Sequence, residues 1–259
     1  MLNWLSRRRF WLAIVAVLLI LLSLVPPAGS YARRYVFAES LQFAVFAAVV
    51  PALLVLGAPW RLPFLRRFSR PPGTGRAGGP RRGSGFVRGA LVLLVFMGTV
   101  VAWRLPAAVN ALAAQPGLAA VEMVTLVAAG CALWLELVES PPLLPRLTRP
   151  LRAAFATLAM WTIWVLAYIL GFAQVAWFPA YTHPGGLSPV ADQEIATGIM
   201  WAVPAICFVP VVFVTALTWL KDSEDPDEGL RAIVRAQPES AKAGWWRPRP
   251  PRGWDTHSA

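Results

Sequence analysis

The chain has 259 residues, of which 57% are hydrophobic, with a mean hydropathy of +0.56 and a formal net charge of +11. Such a balance excludes an ordinary soluble globule. The charge comes mostly from arginine, and its placement in blocks between apolar runs points to a membrane rather than to nucleic acid as the partner. Several of the apolar runs have the roughly 17 to 25 residues that a helix needs to cross a bilayer.

Arg7, Arg8 and Arg9 precede the first run, eight arginines lie between Pro59 and Gly89, and Arg146, Arg149 and Arg152 follow the fourth run. The intervening loops carry few or no Lys or Arg, so the basic stretches mark the inner side of the membrane. The fold expected is all-α: a polytopic membrane bundle of about six transmembrane helices with both termini inside. Cys131 and Cys207 both fall inside apolar runs, so neither a disulfide framework nor a zinc spacing is present.

The first span covers about Phe10 to Val25 and closes at Pro26-Pro27. Its basic flank and short apolar run also suit a signal peptide, but the charge alternation downstream works with the segment retained as a span. The second span, Val36 to Leu56, carries Glu39 and Gln42 near its outer end, and Pro51 is expected to kink it. Residues 1–58 thus form the first two transmembrane helices.

Residues 59–88, rich in Pro, Gly and Arg, cannot bury enough apolar surface to fold and read as a disordered basic linker beside anionic lipid headgroups. The glycines there lack the Lys, strand and helix of a phosphate-binding loop. Residues 89–220 hold the four remaining spans. The third, about Gly89 to Trp103, ends at Arg104-Leu105-Pro106. The fourth, Leu118 to Val138, has Glu122 near its outer end, with Glu136 and Glu139 at the inner end expected to face Arg146 and Arg149.

The fifth span, Leu151 to Val175, has Trp161, Trp164 and Trp177 as expected interfacial anchors and Gln174 as its polar group. The sixth, Ile195 to Leu220, is expected to be interrupted by Pro204 and Pro210. Its approach, Leu187-Ser188-Pro189 with Asp192 and Gln193, is a helix start: a hydroxyl residue, proline at the first helical position, and an acid placed at the positive end of the dipole. Residues 221–259 read as a disordered inner tail. Membrane lipids are the expected surroundings.

The order of Leu54-Val55-Leu56-Gly57-Ala58-Pro59, Trp103 with Leu105-Pro106, Glu122, Phe178-Pro179-Ala180-Tyr181, Leu187-Ser188-Pro189, Asp192-Gln193 and Ile199-Met200-Trp201 resembles the multi-pass CtaG family of cytochrome c oxidase assembly factors. The resemblance runs from about Val36 to Trp219. It implies a bacterial inner-membrane helical bundle that assists assembly of a haem-copper oxidase, with an oxidase subunit as partner and copper as the cargo handled at the outer ends of the spans. Members of the family carry histidines there; the corresponding positions in this chain are Glu39, Phe43, Arg104, Ala119 and Met123.

Glu39, Gln42, Arg104, Glu122, Asp192 and Gln193 all fall at outer span ends and form a candidate polar cluster. One reading makes it an ion-pair network, with Arg104 in the place of a cation and Glu39 and Glu122 as its carboxylate partners. Another keeps Cu(I), on Glu122, Met123, His183 and Met200, with Met97 or Cys131 as further soft donors. A third leaves each group facing the headgroups. No nucleophile-base pair or histidine cluster is present, so the chain is not expected to be an enzyme. The functional expectation is an assembly or accessory factor for a cytochrome c oxidase; a small-cation or metal transporter, or a metal-free scaffold, is the alternative.

Overall fold

The computed structural model describes residues 2–58, 82–140, 143–173 and 175–223, and the side chains of residues 2–9, 82–84, 222 and 223 are outside the description. By its contacts the chain divides into residues 1–216, which hold all that follows, and residues 217–259, of which 217–223 are described as helix. Gln174, most of the linker and most of the tail lie outside the described residues.

Helices make up the described fold: α1 (Leu2–Leu24), α2 (Ala28–Ala32), α3 (Val36–Ala44), α4 (Val50–Gly57), α5 (Arg82–Arg104), α6 (Pro106–Ala114), α7 (Leu118–Leu137), α8 (Arg149–Gly171) and α9 (Pro189–Ser223). A π-helical turn, Val45–Val49, joins α3 to α4. Five segments are long and apolar enough to cross a membrane: Val36–Gly57, Gly85–Arg104, Leu118–Leu137, Arg149–Gly171 and Pro189–Lys221; Phe10–Leu24 is a shorter apolar helix. The protein is therefore a polytopic helical bundle. Helix α5 starts at Arg82, inside the stretch expected as linker.

The segment Val36–Gly57 is the most enclosed of the five, and α1 and α7 pack around it. Its interior positions are alanines and aromatics, Phe43, Ala44, Phe46, Ala47 and Ala48, all 0% exposed. Such small side chains let neighbouring helices approach closely where lipid supplies no hydrophobic contrast. Pro51, expected to kink this span, follows a π-helical turn, which like proline is a place where helices bend. Proline lacks the N–H that would bond the carbonyl four residues back and its ring crowds that carbonyl, here Ala47 O, so the π turn gives it room.

The carbonyl left over by Pro51 sits against α7 at Gly130. A Cβ on Gly130 would stand 2.5 Å from Pro51 Cγ and 2.9 Å from Ala47 O, neither of which can swing aside. Gly130→Ala is therefore expected to lower stability by about 1–3 kcal/mol through overpacking. Gly198→Ala is the control, because its Cβ would meet nothing within 4 Å. Thermal unfolding of both variants in detergent checks the contrast.

Three other expectations are corrected. Pro204 and Pro210 do not interrupt α9, which is continuous through both; a membrane offers the backbone no competing water, so the helix persists around a missing bond. Glu136, expected to face Arg146 and Arg149, pairs with Arg88 (Nε to Oε1, 3.1 Å) and accepts from the Arg146 backbone N–H, and Glu139 pairs with Arg152 (3.1 Å).

Trp161 and Trp164, expected at the interface, sit roughly 15 and 10 Å below the end of α8 at 1.5 Å per residue. They join Trp201 there: the Trp164 and Trp201 rings stack at 4.6 Å, Trp161 meets Trp164 edge-on at 5.7 Å, and Trp164 Nε1 donates to Trp201 O at 3.0 Å. An indole N–H at mid-membrane needs a partner, and the facing helix supplies it.

Candidate functional site

Glu39 lies in the first turn of α3 and Arg104 is the last residue of α5, so each complements the dipole of its own helix. The two ends meet at the side that the arginine pattern assigns to the outside. Arg104 Nη1 donates to Glu39 Oε2 at 2.6 Å, and Nη2 donates to Ser40 Oγ at 3.0 Å. One turn on from Glu39, the Phe43 ring lies 4.8 Å from Arg104 Cζ, within cation-π range. Both charged side chains are closed to solvent, at 0% and 2% exposure.

Glu122, in the second turn of α7, is 1% exposed and lies within Coulombic reach of Glu39 and Arg104. Two carboxylates thus share one guanidinium in a water-poor place. The pairing is incomplete: Glu39 Oε1, Glu122 Oε1 and Arg104 Nε are buried without a hydrogen-bond partner. Glu39, Gln42 and Glu122 also line a cavity of about 200 Å³ between the α1–α2 turn and the α6–α7 turn, with Arg33 among the lining residues. Gln42 is held by its Nε2, which donates to Ser23 O at 2.7 Å.

Asp192 works elsewhere. Expected to serve its own helix start, it reaches across instead to the start of α3, where Val36 N and Phe37 N both donate to its carboxylate at 2.8 Å. These are first-turn N–H groups with no partner inside their own helix, and Tyr35 at the N-cap supplies no side-chain bond. The start of α9 is closed by Ser188, whose Oγ accepts from Ala191 N at 3.1 Å. His183, one of the Cu(I) candidates, has a side chain only 8% exposed, with Nε2 at 3.1 Å from Asp192 Oδ2. The contact is electrostatic, since Nε2 has no aligned hydrogen bond. His183 holds this place at a positive φ of 49°, with its N–H donating to Arg34 O.

Gln193 points a third way. Its Nε2 donates to Leu170 O at 2.9 Å, near the end of α8, and its Oε1 accepts from Trp177 N at 3.2 Å. It ties the end of α8 to the loop after it, which is a structural task. Of the six residues in the expected cluster, Glu39, Arg104 and Glu122 therefore form the core, with Gln42 in the adjoining cavity. Asp192 and Gln193 brace the helices that surround it.

The Phe178 to Tyr181 stretch caps this end. Phe178 and Tyr181 are buried, Tyr181 Oη donates to Val109 O at 3.1 Å, and Asn110 brackets the loop by accepting from Ala180 N and donating to Trp177 O. Tyr35 Oη donates to Pro184 O, pinning the far side of the loop to the α2–α3 junction. Burial pushes the Tyr181 phenol well above its usual range; Glu39, Glu122 and Asp192 add to the shift and Arg104 opposes it. Tyr181 is thus a fixed donor near the acidic core. Sequence reasoning missed Ser40, Asn110, Tyr181 as a latch and the whole of α6; the polar Asn in an apolar loop was the one available signal.

None of the soft-metal candidates apart from Glu122 lines the cavity beside the ion pair. Met200 is fully buried and Met97, Met123 and Cys131 are partly buried against the core, but none of the four lines the cavity with Glu122, and neither does His183. Among the described residues, no group of three or more His, Cys, Asp and Glu side chains is placed to hold a metal ion.

A bundle of apolar membrane-length helices, with a buried ion pair and a latched loop at one end, defines a polytopic helical membrane protein. A family model described as cytochrome c oxidase caa3 assembly factor matches residues 3–222. The chain belongs to that family, and so is an integral membrane assembly or accessory factor for a cytochrome c oxidase. No curated protein matches it, and no solved structure does.

Proposed function

We propose that this chain acts on the oxidase of a bacterial inner membrane as a non-catalytic scaffold. Its outer end, formed by the ion-paired core and the loop from Pro179 to Ala191, binds an oxidase subunit, and no copper is held at the core. The observation that carries this reading is the buried Arg104–Glu39 pair. A guanidinium occupies the place where the family resemblance calls for a metal ligand, and it already takes up the Glu39 carboxylate that a metal would need.

The donor set there is Glu39, Phe43, Arg104, Ala119 and Met123. One carboxylate already paired and one thioether do not make a Cu(I) site, which prefers several thiolate, thioether or imidazole donors. Residues 59–88 and 221–259 are assigned to the inner side, with the basic linker on anionic headgroups.

Purified protein under reducing conditions is expected to bind far less than one Cu(I) per chain. One Cu(I) per chain, lost in Glu122→Ala or Met123→Ala, would overturn the metal-free reading. In cells, Tyr181→Ala combined with Asn110→Ala is expected to lower assembled oxidase, read as haem a absorbance of the membranes, while the protein itself persists. Undiminished oxidase in that variant would count against the loop as the docking surface.

A further inference from the structure

The cavity beside the ion pair has an uneven chemistry that points to an occupant. Its lining includes two carboxyl side chains, Glu39 and Glu122, beside the buried guanidinium of Arg104, and one oxygen of each is buried without a partner. Two buried carboxyl groups beside one guanidinium either keep a proton or take up a second cation. Leu24, Ala32, Leu112, Ala119 and Ala120 make the walls apolar, and the half-exposed Arg33 adds a cation to the lining. An inorganic divalent cation needs about six oxygen ligands, which these walls do not supply. A cation carrying its own N–H donors needs only the carboxylates.

We propose that this cavity binds the headgroup of an aminophospholipid of the phosphatidylethanolamine class. The primary ammonium enters toward Glu39 and Glu122, and the phosphate that follows it meets Arg33. A zwitterion of that order matches a lining that offers two carboxyl groups and, in Arg33, a guanidinium. Depth agrees: Glu39 and Glu122 each lie about one turn inside their helices, near 5 Å from the helix starts, which is headgroup level. The acyl chains have a surface to follow, since Leu21 and Val25 on the α1 side and Val121 and Val124 on α7 are exposed apolar neighbours of the lining residues Leu24 and Ala120.

The proposal deepens the scaffold reading, for a lipid seated between the α1–α2 and α6–α7 turns would set the shape of the end that meets the oxidase. Its test needs no oxidase, so the two readings fail separately. The full-length protein is taken from detergent into native mass spectrometry with defined phosphatidylethanolamine, phosphatidylcholine or phosphatidylglycerol. One phosphatidylethanolamine per chain is expected to be retained about tenfold better than phosphatidylcholine, whose quaternary ammonium has no N–H to donate.

Glu122→Gln is expected to abolish that preference, and Arg33→Gln to weaken retention of phosphatidylethanolamine without reversing the order. Ala120→Phe, which fills the cavity and leaves the charges in place, guards against a fold defect in Glu122→Gln and is expected to have the same effect. Equal retention of the two zwitterionic lipids would overturn the proposal. So would displacement of the lipid by millimolar n-propylammonium regardless of Arg33, which would make the site one for a basic side chain.

Discussion

Arg104→Ala is expected to lose about 3–5 kcal/mol of stability, the usual result of removing one partner of a buried ion pair. The size follows from what remains: Glu39 at 2% and Glu122 at 1% exposure would face each other with no cation between them. Glu39→Ala should cost less, because Arg104 would keep its bond to Ser40 Oγ and its proximity to Glu122. Arg104→Lys should fall between, keeping the charge but losing the fork that reaches Glu39 and Ser40 together. The decisive variant is the double substitution Glu39→Leu with Arg104→Leu, expected to recover most of the loss, as apolar replacements of buried pairs commonly do. Unfolding of the detergent-solubilised variants on an SDS titration gives the ordering. A double variant as unstable as the sum of the singles would mean that the pair does not act as a pair.

The spans were legible because membrane burial leaves a long, uniform hydropathy signal, and the arginine blocks gave their direction. The Arg104 pairing was legible for a related reason: an arginine at the end of an apolar run either escapes to the headgroups or finds a carboxylate, and Glu39 and Glu122 are at matching depth. What stayed hidden is lateral. Nothing in the run Ser188-Pro189-Val190-Ala191-Asp192 says that Asp192 serves a helix start 156 residues earlier, because its own helix start is an equally good use for it. Glu136 shows the same limit, with several arginines near enough in depth and only packing to choose Arg88 among them. Helix α6 was read as loop because nine mostly small residues are too short to register as a span. The tryptophans misled through a rule about interfaces that pairing at mid-membrane overrides.

Asp192→Ala is expected to cost about 2–4 kcal/mol. It leaves the buried Val36 N–H and the part-buried Phe37 N–H at the start of α3 with no acceptor, at about 1–3 kcal/mol for the buried group and less for the other. It also removes the charge beside His183 and the favourable anion at the positive end of α3. Asp192→Asn separates these effects, since the amide oxygen can accept one bond while the amide nitrogen opposes the second N–H. It should lose roughly half as much. Hydrogen exchange locates the damage: in Asp192→Ala, peptides covering Val36 and Phe37 should lose protection together with the loop around His183, whose backbone N–H is tied to Arg34 O. Protection at Trp177, whose N–H donates to Gln193 Oε1, should survive, because adjacent residues on one turn of α9 brace different parts of the fold. Loss spread evenly over both regions would mean that the turn as a whole, rather than the Asp192 carboxylate, holds α9 to α3. Loss at neither would mean that water replaces the carboxylate at the α3 start, which would make that end wet and the ion pair beside it weaker than its burial indicates.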